Sequence, residues 1–242
     1  MDDVHAGTEH AMACSCPLQR RTLRLPPMGS RQKRKPRCPG CGLLPETCVC
    51  DRLPSLGFAT RIAFVQHTDE IHKPTNTARV FAKMVQDTPI LPYGMREPPF
   101  DSSPLEGDDT EWMLLFPREG APDLDAALPQ PTEGKRRGFV VLDGTWHQCS
   151  RMGRRATFVR DLPCVALPAG EPTFWTVRTQ HDPRGMSSFD AAYRALRACE
   201  GIAVVRPLLE AFALVTAKML HLKGRLASDD IPPEWLGPRD PA

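Results

Sequence analysis

The sequence of 242 residues contains no long apolar run and no internal repeat. Nothing in it approaches the ~18 uninterrupted apolar residues of a membrane-spanning helix. The start, Met1-Asp2-Asp3, lacks the basic segment and apolar stretch of a secretory signal. These absences predict a soluble, cytoplasmic protein with no membrane partner. The net charge of +2 is also too small to identify a nucleic-acid partner by itself.

The chain does contain enough apolar material for a real core. Hydrophobic residues make up 41% of the sequence and charged residues 25%, as in ordinary globular proteins. The length permits one substantial α/β domain, or one domain with a small module. The 26 prolines, about twice the usual share, predict long irregular connections.

Basic residues are unevenly distributed. One cluster runs from Arg31 to Arg37, and acidic residues collect between Glu97 and Glu111. Basic clusters can neutralise phosphates, although they also occur as solubilising tails and solvated helix faces. For a second cluster the sequence favours phosphate contact, because this cluster directly follows the turn at residues 143–146. Its members are Arg151, Arg154, Arg155 and Arg160.

Two closely spaced cysteine pairs near the N-terminus form a C-x2-C-x6-C-x-C pattern. Four thiolates at such spacing can hold a tetrahedral metal, and Gly40 and Gly42 permit the tight turns. Disulfides are the weaker explanation in a cytosolic protein, and a redox Cys-x-x-Cys would not explain the second pair. The pattern therefore predicts a structural Zn²⁺ site with no open position for catalysis. Its ligands are Cys38, Cys41, Cys48 and Cys50.

The other five cysteines are not predicted to bind metal. Cys14 and Cys16 have no nearby partners, so we interpret them as a free thiol pair. Cys149, Cys164 and Cys199 are predicted to be small buried residues.

Strand-like and helix-like segments alternate along the chain. Short apolar runs indicate the strands, and apolar residues recurring on one face indicate the helices. This alternation predicts an α/β fold with a mainly parallel sheet flanked by helices. The predicted strands are residues 61–66, 112–116, 139–142 and 164–167. One helix is predicted to start at residues 74–76, and two more are predicted over residues 186–198 and 207–222. Residues 88–111 are predicted to be a proline-rich loop.

The strand predicted at residues 139–142 stops at Asp143-Gly144-Thr145-Trp146. Ligands of parallel sheets bind outside the carboxyl ends of the strands. An acid, a glycine, a hydroxyl and a large aromatic at that place offer a base, close backbone approach and a stacking surface. The alternative is an Asp-Gly turn that feeds a helix cap, with Trp146 in the core.

Several motifs follow the four-cysteine segment Cys38–Cys50, here called the knuckle, in a specific order. They are His67-Thr68-Asp69-Glu70, Asn76-Thr77-Ala78-Arg79, residues 142–152, Arg178 and Ser187-Ser188-Phe189-Asp190-Ala191. In this combination the chain resembles the DTW-domain family of tRNA-uridine aminocarboxypropyltransferases, over roughly residues 36–225. The family usually has His-Pro-x-Glu at the first motif and Ser-Thr-x-Glu-Ala at the last, and Ala-Arg in place of Cys149-Ser150.

The resemblance implies an activity and a fold. The activity is transfer of the 3-amino-3-carboxypropyl group of S-adenosylmethionine to N3 of a tRNA uridine, with tRNA as the partner. The fold is related to the knotted, SPOUT-like methyltransferases, an exception to the rule that chains avoid knots. The expected organisation is a disordered tail (residues 1–30), a basic segment with the zinc knuckle (31–55), the DTW catalytic domain (56–225) and a C-terminal tail (226–242).

The chemistry of that transfer singles out Asp143. The N3 proton of uridine must leave during attack, and a positioned carboxylate that accepts it typically contributes ~10²–10⁴-fold. Asp143 at the predicted strand end is the candidate base. The alternative is that its carboxylate accepts hydrogen bonds that hold in place the loop expected to bind S-adenosylmethionine.

The remaining site residues are expected to bind the two substrates. Alternatives remain for several: capping for Asn76 and Thr77, a structural role for His67, a tRNA phosphate contact for Arg178 and a core position for Trp146. The expected donor-binding residues are Leu142, Gly144, Thr145, Trp146, Arg178, Ser187 and Ser188, and the expected tRNA-binding residues are His67, Asn76, Thr77, Arg151, Arg154 and Arg155.

Two rival functions remain open on the sequence alone. One is methyl transfer from S-adenosylmethionine to RNA in a similar fold. The other is a zinc-knuckle protein that binds RNA without catalysis. Labelled donor separates all three functions.

Overall fold

The computed structural model describes residues 36–107, 109–124, 128, 130–168, 173–178 and 185–235. The predicted tail at residues 1–30, the Cys14–Cys16 pair and most of the first basic cluster lie outside the described residues, as does the end of the predicted C-terminal tail. The beginning of that C-terminal segment contains two short 3-10 turns, and Ile231 is buried there.

Within the described residues, five parallel strands form one sheet in the order β2-β1-β4-β3-β5. The two central strands are buried almost along their whole length, because helices cover both faces of the sheet. The predicted α/β fold with a mainly parallel sheet is therefore confirmed. The strands are β1 (Arg61–His67), β2 (Ile90–Tyr93), β3 (Thr110–Leu115), β4 (Arg136–Asp143) and β5 (Cys164–Val165).

In the part of the chain that the structure describes, four α-helices flank the sheet. Successive strand residues point to opposite cores. Phe64 and Phe139 lie in the larger core with α1, α3 and α4, whereas Val65 and Val140 lie in the smaller core under α2. The larger core is built on a chain of aromatic rings from β1 to α4. The helices are α1 (Thr77–Met84), α2 (Trp146–Arg155), α3 (Ser188–Glu200) and α4 (Ile202–Leu222), and the rings are Phe64, Phe81, Phe189 and Phe212.

Two expectations about secondary structure are wrong. Residues 88–111 are not all loop, because β2 lies within them and pairs with β1. Pro92 breaks the usual pattern of a strand, but β2 is an edge strand of the described sheet, where a missing backbone donor is tolerated. Helix α4 also begins at Ile202, before Pro207, so the proline stands inside the helix rather than at its start.

Among the described residues no helix combines the length and the apolar character needed to cross a bilayer. The knotted, SPOUT-like topology stays a prediction of the family resemblance.

Candidate active site and metal centre

The four knuckle cysteines converge on one point. Their sulfur atoms all lie within 4.8 Å of one another, and the distances from Cys38 Sγ to Cys48 Sγ and Cys50 Sγ are both 3.4 Å. A disulfide needs about 2.05 Å, whereas a tetrahedral zinc with bonds of about 2.3 Å separates its sulfur ligands by about 3.8 Å. The donor set therefore fits a structural Zn²⁺, as the sequence predicts.

Three of the four thiols have shifted pKa values. The hydrogen bond with Cys50 is the main cause that lowers the pKa of Cys41 to about 5. The same interaction raises the pKa of Cys50, and burial raises the pKa of Cys48. A metal ion binds thiolates, so it would displace the protons of the thiols that are still protonated.

The knuckle packs on the loop that precedes α1. Gly42 has φ +76°, and a Cβ there would lie 2.4 Å from the Pro74 carbonyl oxygen. The Arg79 guanidinium donates to the carbonyl oxygens of Lys73 at 3.0 Å and Pro74 at 3.4 Å. Burial lowers the pKa of Arg79, and the negative charges of Cys41, Cys38 and Asp143 oppose this shift. Arg79 therefore links the knuckle to the loop electrostatically and by hydrogen bonds.

Asp143 lies at the end of β4 and is only 5% exposed. Its Oδ2 accepts hydrogen bonds from Gln66 Nε2 at 2.7 Å and Asn76 Nδ2 at 2.6 Å. Its Oδ1 accepts a short hydrogen bond from the Ser188 hydroxyl. One carboxylate thus joins the carboxyl ends of β1 and β4 to the N-termini of α1 and α3.

Helix caps orient the donors around Asp143. Asn76 Oδ1 accepts from the Arg79 N–H at 2.9 Å, which leaves the Asn76 amide nitrogen to face Asp143. Ser187 caps α3 in a capping box with Asp190, and Thr145 caps α2 in a capping box with Gln148. For Asn76, capping and a site role are therefore not alternatives, since one side chain does both.

Thr77 is buried and connects two helices within the fold. It is 4% exposed, and its hydroxyl accepts from the Phe189 N–H at 3.3 Å. This bond ties the start of α1 to the start of α3, next to Ser188.

Sequence reasoning missed Gln66, which makes the longest-range contact to Asp143. The signal was available as a polar side chain inside an otherwise apolar strand. Gln66 is 5% exposed and pairs in register with Asp143 across the sheet. A buried amide in such a strand requires a hydrogen-bonding partner, and Asp143 supplies it.

Arg178 lies next to the same α1 loop. Its Nε donates to Thr75 Oγ1 at 2.8 Å, and its Nη2 lies 3.5 Å from Glu70 Oε2. Glu70 is 2% exposed and also pairs with Lys73 at 2.5 Å. Buried pairing fixes the guanidinium in place while its side chain keeps 38% exposure toward solvent.

Trp146 is not in the core. Its exposed fraction is 49%, and its ring stacks on Phe116 with centroids 5.3 Å apart. Its neighbours in the motif behave differently: Leu142 is buried in the smaller core, and Gly144 lies close against Gln148. Cys149 is buried beneath this turn, and burial raises the pKa of its thiol to about 12, so it is an inert core residue.

A cleft with a volume of about 420 Å³ lies at the same edge of the sheet, on the face covered by α2. Arg151 and Arg155 line it, whereas Arg154 does not. His67 also lines it, and its Nδ1 accepts from the Asp69 N–H at 3.2 Å. The full lining is His67, Tyr93, Gly94, Met95, Pro99, Phe100, Gln148, Arg151, Met152 and Arg155.

Comparison with known proteins matches the DTW domain to residues 35–220. The chain belongs to the DTW-domain family. One curated relative is tRNA-uridine aminocarboxypropyltransferase 2 of Macaca fascicularis, which is 26% identical over 176 residues. The alignment covers 69% of this chain and 58% of that relative, so the chain spans less than two thirds of the relative's length. No solved structure matches the chain.

Proposed function

We propose that this DTW-domain protein transfers the 3-amino-3-carboxypropyl group of S-adenosylmethionine to N3 of a tRNA uridine. The observation that carries the proposal is the Asp143 carboxylate, held at the strand ends by Gln66, Asn76 and Ser188. The membership of the DTW-domain family and the name of the macaque relative support the same chemistry.

The charges around Asp143 fit the donor. S-adenosylmethionine, when bound, supplies an aminocarboxypropyl carbon that its sulfonium makes electrophilic. The Asp143 carboxylate suits the positive groups of the donor. Arg178 and the α3 N-terminus at Ser187 and Ser188 suit its carboxylate. Gly144, Thr145 and the exposed Trp146 ring lie at the same edge, where they can orient the donor so that the transferred carbon faces N3.

Asp143 has acceptor capacity for the uridine proton. Oδ2 already accepts two hydrogen bonds, but Oδ1 accepts only the one from Ser188 and retains a second acceptor position. As N3 attacks the transferred carbon, its proton passes to Oδ1, the bond between that carbon and the sulfonium sulfur breaks, and the sulfur leaves with the electron pair as the neutral thioether 5′-methylthioadenosine. The three hydrogen bonds keep the orientation of the carboxylate fixed while it accepts the proton. Asp143 therefore both holds the loop in place and accepts the proton.

The structure divides the residues proposed for tRNA binding. Asn76 and Thr77 are 3% and 4% exposed, so we assign them the positioning of Asp143 and α3 rather than contact with RNA. His67, Arg151 and Arg155 line the open cleft and are accessible to a substrate. The zinc, with all four positions filled by sulfur, supports the fold and takes no part in the transfer.

Labelled donor tests the proposal directly. The protein is incubated with unmodified tRNA and S-adenosylmethionine labelled in either the carboxyl carbon or the methyl carbon. We expect carboxyl label in the RNA. After digestion to nucleosides, the label should lie in a uridine derivative that is distinct from unmodified uridine. Methyl label alone would identify a methyltransferase. No label in RNA, with retained tRNA binding, would identify a non-catalytic binding protein.

A further inference from the structure

We infer that the cleft between the end of β2 and helix α2 binds the base and phosphate of an unpaired ribonucleotide. This inference rests on the proposed function for its biological role. Its physical basis is independent of the reaction, because it depends on the walls of the cleft alone.

The cleft lies at the same edge of the sheet as Asp143. Gln66 and His67 are consecutive residues at the end of β1, and Gln66 donates to Asp143 while His67 lines the cleft. His67 pairs in register with Tyr93, the last residue of β2. Successive strand residues point to opposite faces of the sheet, so the cleft opens on the α2 face, whereas the Asp143 carboxylate lies on the face of α1 and α3.

One wall of the cleft is an aromatic and apolar surface. Tyr93 and Phe100 pack edge to face with ring centroids 5.5 Å apart. Met95, which is 38% exposed, and Pro99 extend this wall. Stacking on aromatic side chains is the main means by which proteins hold unpaired bases, because every base has a π-face.

The opposite wall is positively charged. Arg151 and Arg155 stand one helical turn apart on α2, so both reach the same opening. Both are exposed, and neither forms an ion pair with any other residue that the structure describes. No carboxylate belongs to the lining, and the Asp69 carboxylate behind it contacts Gln148 at 2.8 Å and His67 at 3.4 Å. Two unneutralised guanidinium groups in one cleft favour a phosphate.

The same charges argue against the donor as the occupant. S-adenosylmethionine carries a sulfonium cation, which two arginines would repel unless a carboxylate lay between them. The cleft lining contains no such group, whereas the Asp143 side of the strand edge does. The two substrates thus separate by charge, with the donor at Asp143 and the RNA backbone at Arg151 and Arg155.

His67 supplies a polar contact for the base. Its Nδ1 accepts from the Asp69 backbone N–H, so the hydrogen of the neutral ring lies on Nε2. This nitrogen faces Gly94 in the cleft, 3.5 Å from where a Cβ would stand. Uracil presents carbonyl oxygens, which accept from such a donor. The Gln148 amide, in contrast, already has partners: its Nε2 donates to Asp69 Oδ2, and its Oε1 accepts from the Thr145 N–H.

The test measures binding of hexauridylate to the full-length protein by fluorescence anisotropy across a salt series. The variant carries Arg151→Ala and Arg155→Ala together, and the control is Arg206→Ala, an exposed arginine of α4 outside the cleft. We expect the double variant to lose about tenfold or more in affinity, and its log–log salt slope to fall by about 1.4, the amount that two phosphate contacts contribute on a single strand. Binding of S-adenosylmethionine should be unchanged.

A second variant tests the aromatic wall without changing charge. Phe100→Leu keeps an apolar side chain and removes the ring, so we expect about fivefold weaker hexauridylate binding with an unchanged salt slope. Equal affinity of the double variant and the Arg206→Ala control, or loss of S-adenosylmethionine binding in place of RNA binding, would overturn the inference.

The two proposals fail in different ways. If wild-type protein binds hexauridylate through the arginines but transfers no label, the proposed function is wrong and the cleft stands. If wild-type protein transfers label and the double variant keeps its KM for tRNA, the proposed function stands and the cleft assignment is wrong.

Discussion

The cysteine knuckle and the Asp143 site are built in opposite ways. The knuckle ligands lie within 12 residues of one another, and local turns bring them together. The partners of Asp143 are 77, 67 and 45 residues away, and only the sheet and two helix ends bring them together. The first is therefore readable as a sequence pattern, whereas the second depends on the tertiary fold.

The two regions also differ in what stabilises them. A bound metal contributes on the order of 10 kcal/mol to a small zinc module, whereas each ordinary hydrogen bond contributes about 1 kcal/mol. They meet at the loop of residues 73–76, through Arg79 and Gly42. Substitutions that act on one region and spare the other test whether this division holds.

The largest expected effect is on stability, at the knuckle. Cys48→Ser removes one of four sulfur ligands, so bound zinc should be lost and the melting temperature should fall by about 10 °C or more, the shift expected for several kcal/mol in a domain of this size. Zinc content by mass spectrometry and thermal unfolding measure both. The matched control is Cys199→Ser, a half-buried cysteine outside the cluster, which should keep the metal. Wild-type protein without zinc would contradict the assignment.

The next effect is on activity, at Asp143. Asp143→Asn should reduce transfer about hundredfold or more while the protein stays folded. The fold is retained because the asparagine oxygen can accept from Gln66 and Asn76 while its amide donates to the Ser188 hydroxyl. Asp109→Asn, at an exposed carboxylate, is the control. Unimpaired turnover of Asp143→Asn would exclude a proton acceptor at this position.

A smaller effect is expected at Gln66, the partner that the sequence motifs do not contain. Gln66→Leu leaves the buried Asp143 Oδ2 with one donor fewer, which should cost about 1–3 kcal/mol of unfolding free energy. Urea denaturation measures it. Gln86→Leu, which removes an exposed hydrogen bond to Ser55, should cost far less. Equal losses in the two variants would mean that the Asp143 network adds nothing to stability.

The last prediction compares two glycine variants, one of them at the contact between the two regions. Gly42 and Gly120 share φ +76°, but a Cβ at Gly42 would meet Pro74 and Arg79, whereas a Cβ at Gly120 would meet nothing within 4 Å. Both alanine variants suffer the left-handed backbone penalty of about 1–2 kcal/mol. Gly42→Ala should lose about 1–3 kcal/mol more, as overpacking does. Equal losses in urea would show that the knuckle does not press on the α1 loop.

Much of the fold was predictable because its signals are local. The apolar runs of β1, β3 and β4 lie where the sequence predicts strands, and Asn76, Thr145 and Ser187 begin helices as short polar residues do. Strand β2 was missed because its proline and short length hide it, and only its pairing with β1 defines it. The exposure of Trp146 was also undecided, since an aromatic after a strand suits core and surface equally.

Three features could be predicted from the order of the amino acids: the cysteine ligand set, the parallel α/β class and the position of Asp143 at a strand end. These follow from spacing, from apolar periodicity and from the rule that parallel strands end at one edge. Tertiary structure alone decided that Gln66, Asn76 and Ser188 share one carboxylate, and that Arg151 and Arg155 face a cleft while Arg154 does not. The physical reason is that sheet register and helix rotation are set by packing across the whole core, which no short segment specifies.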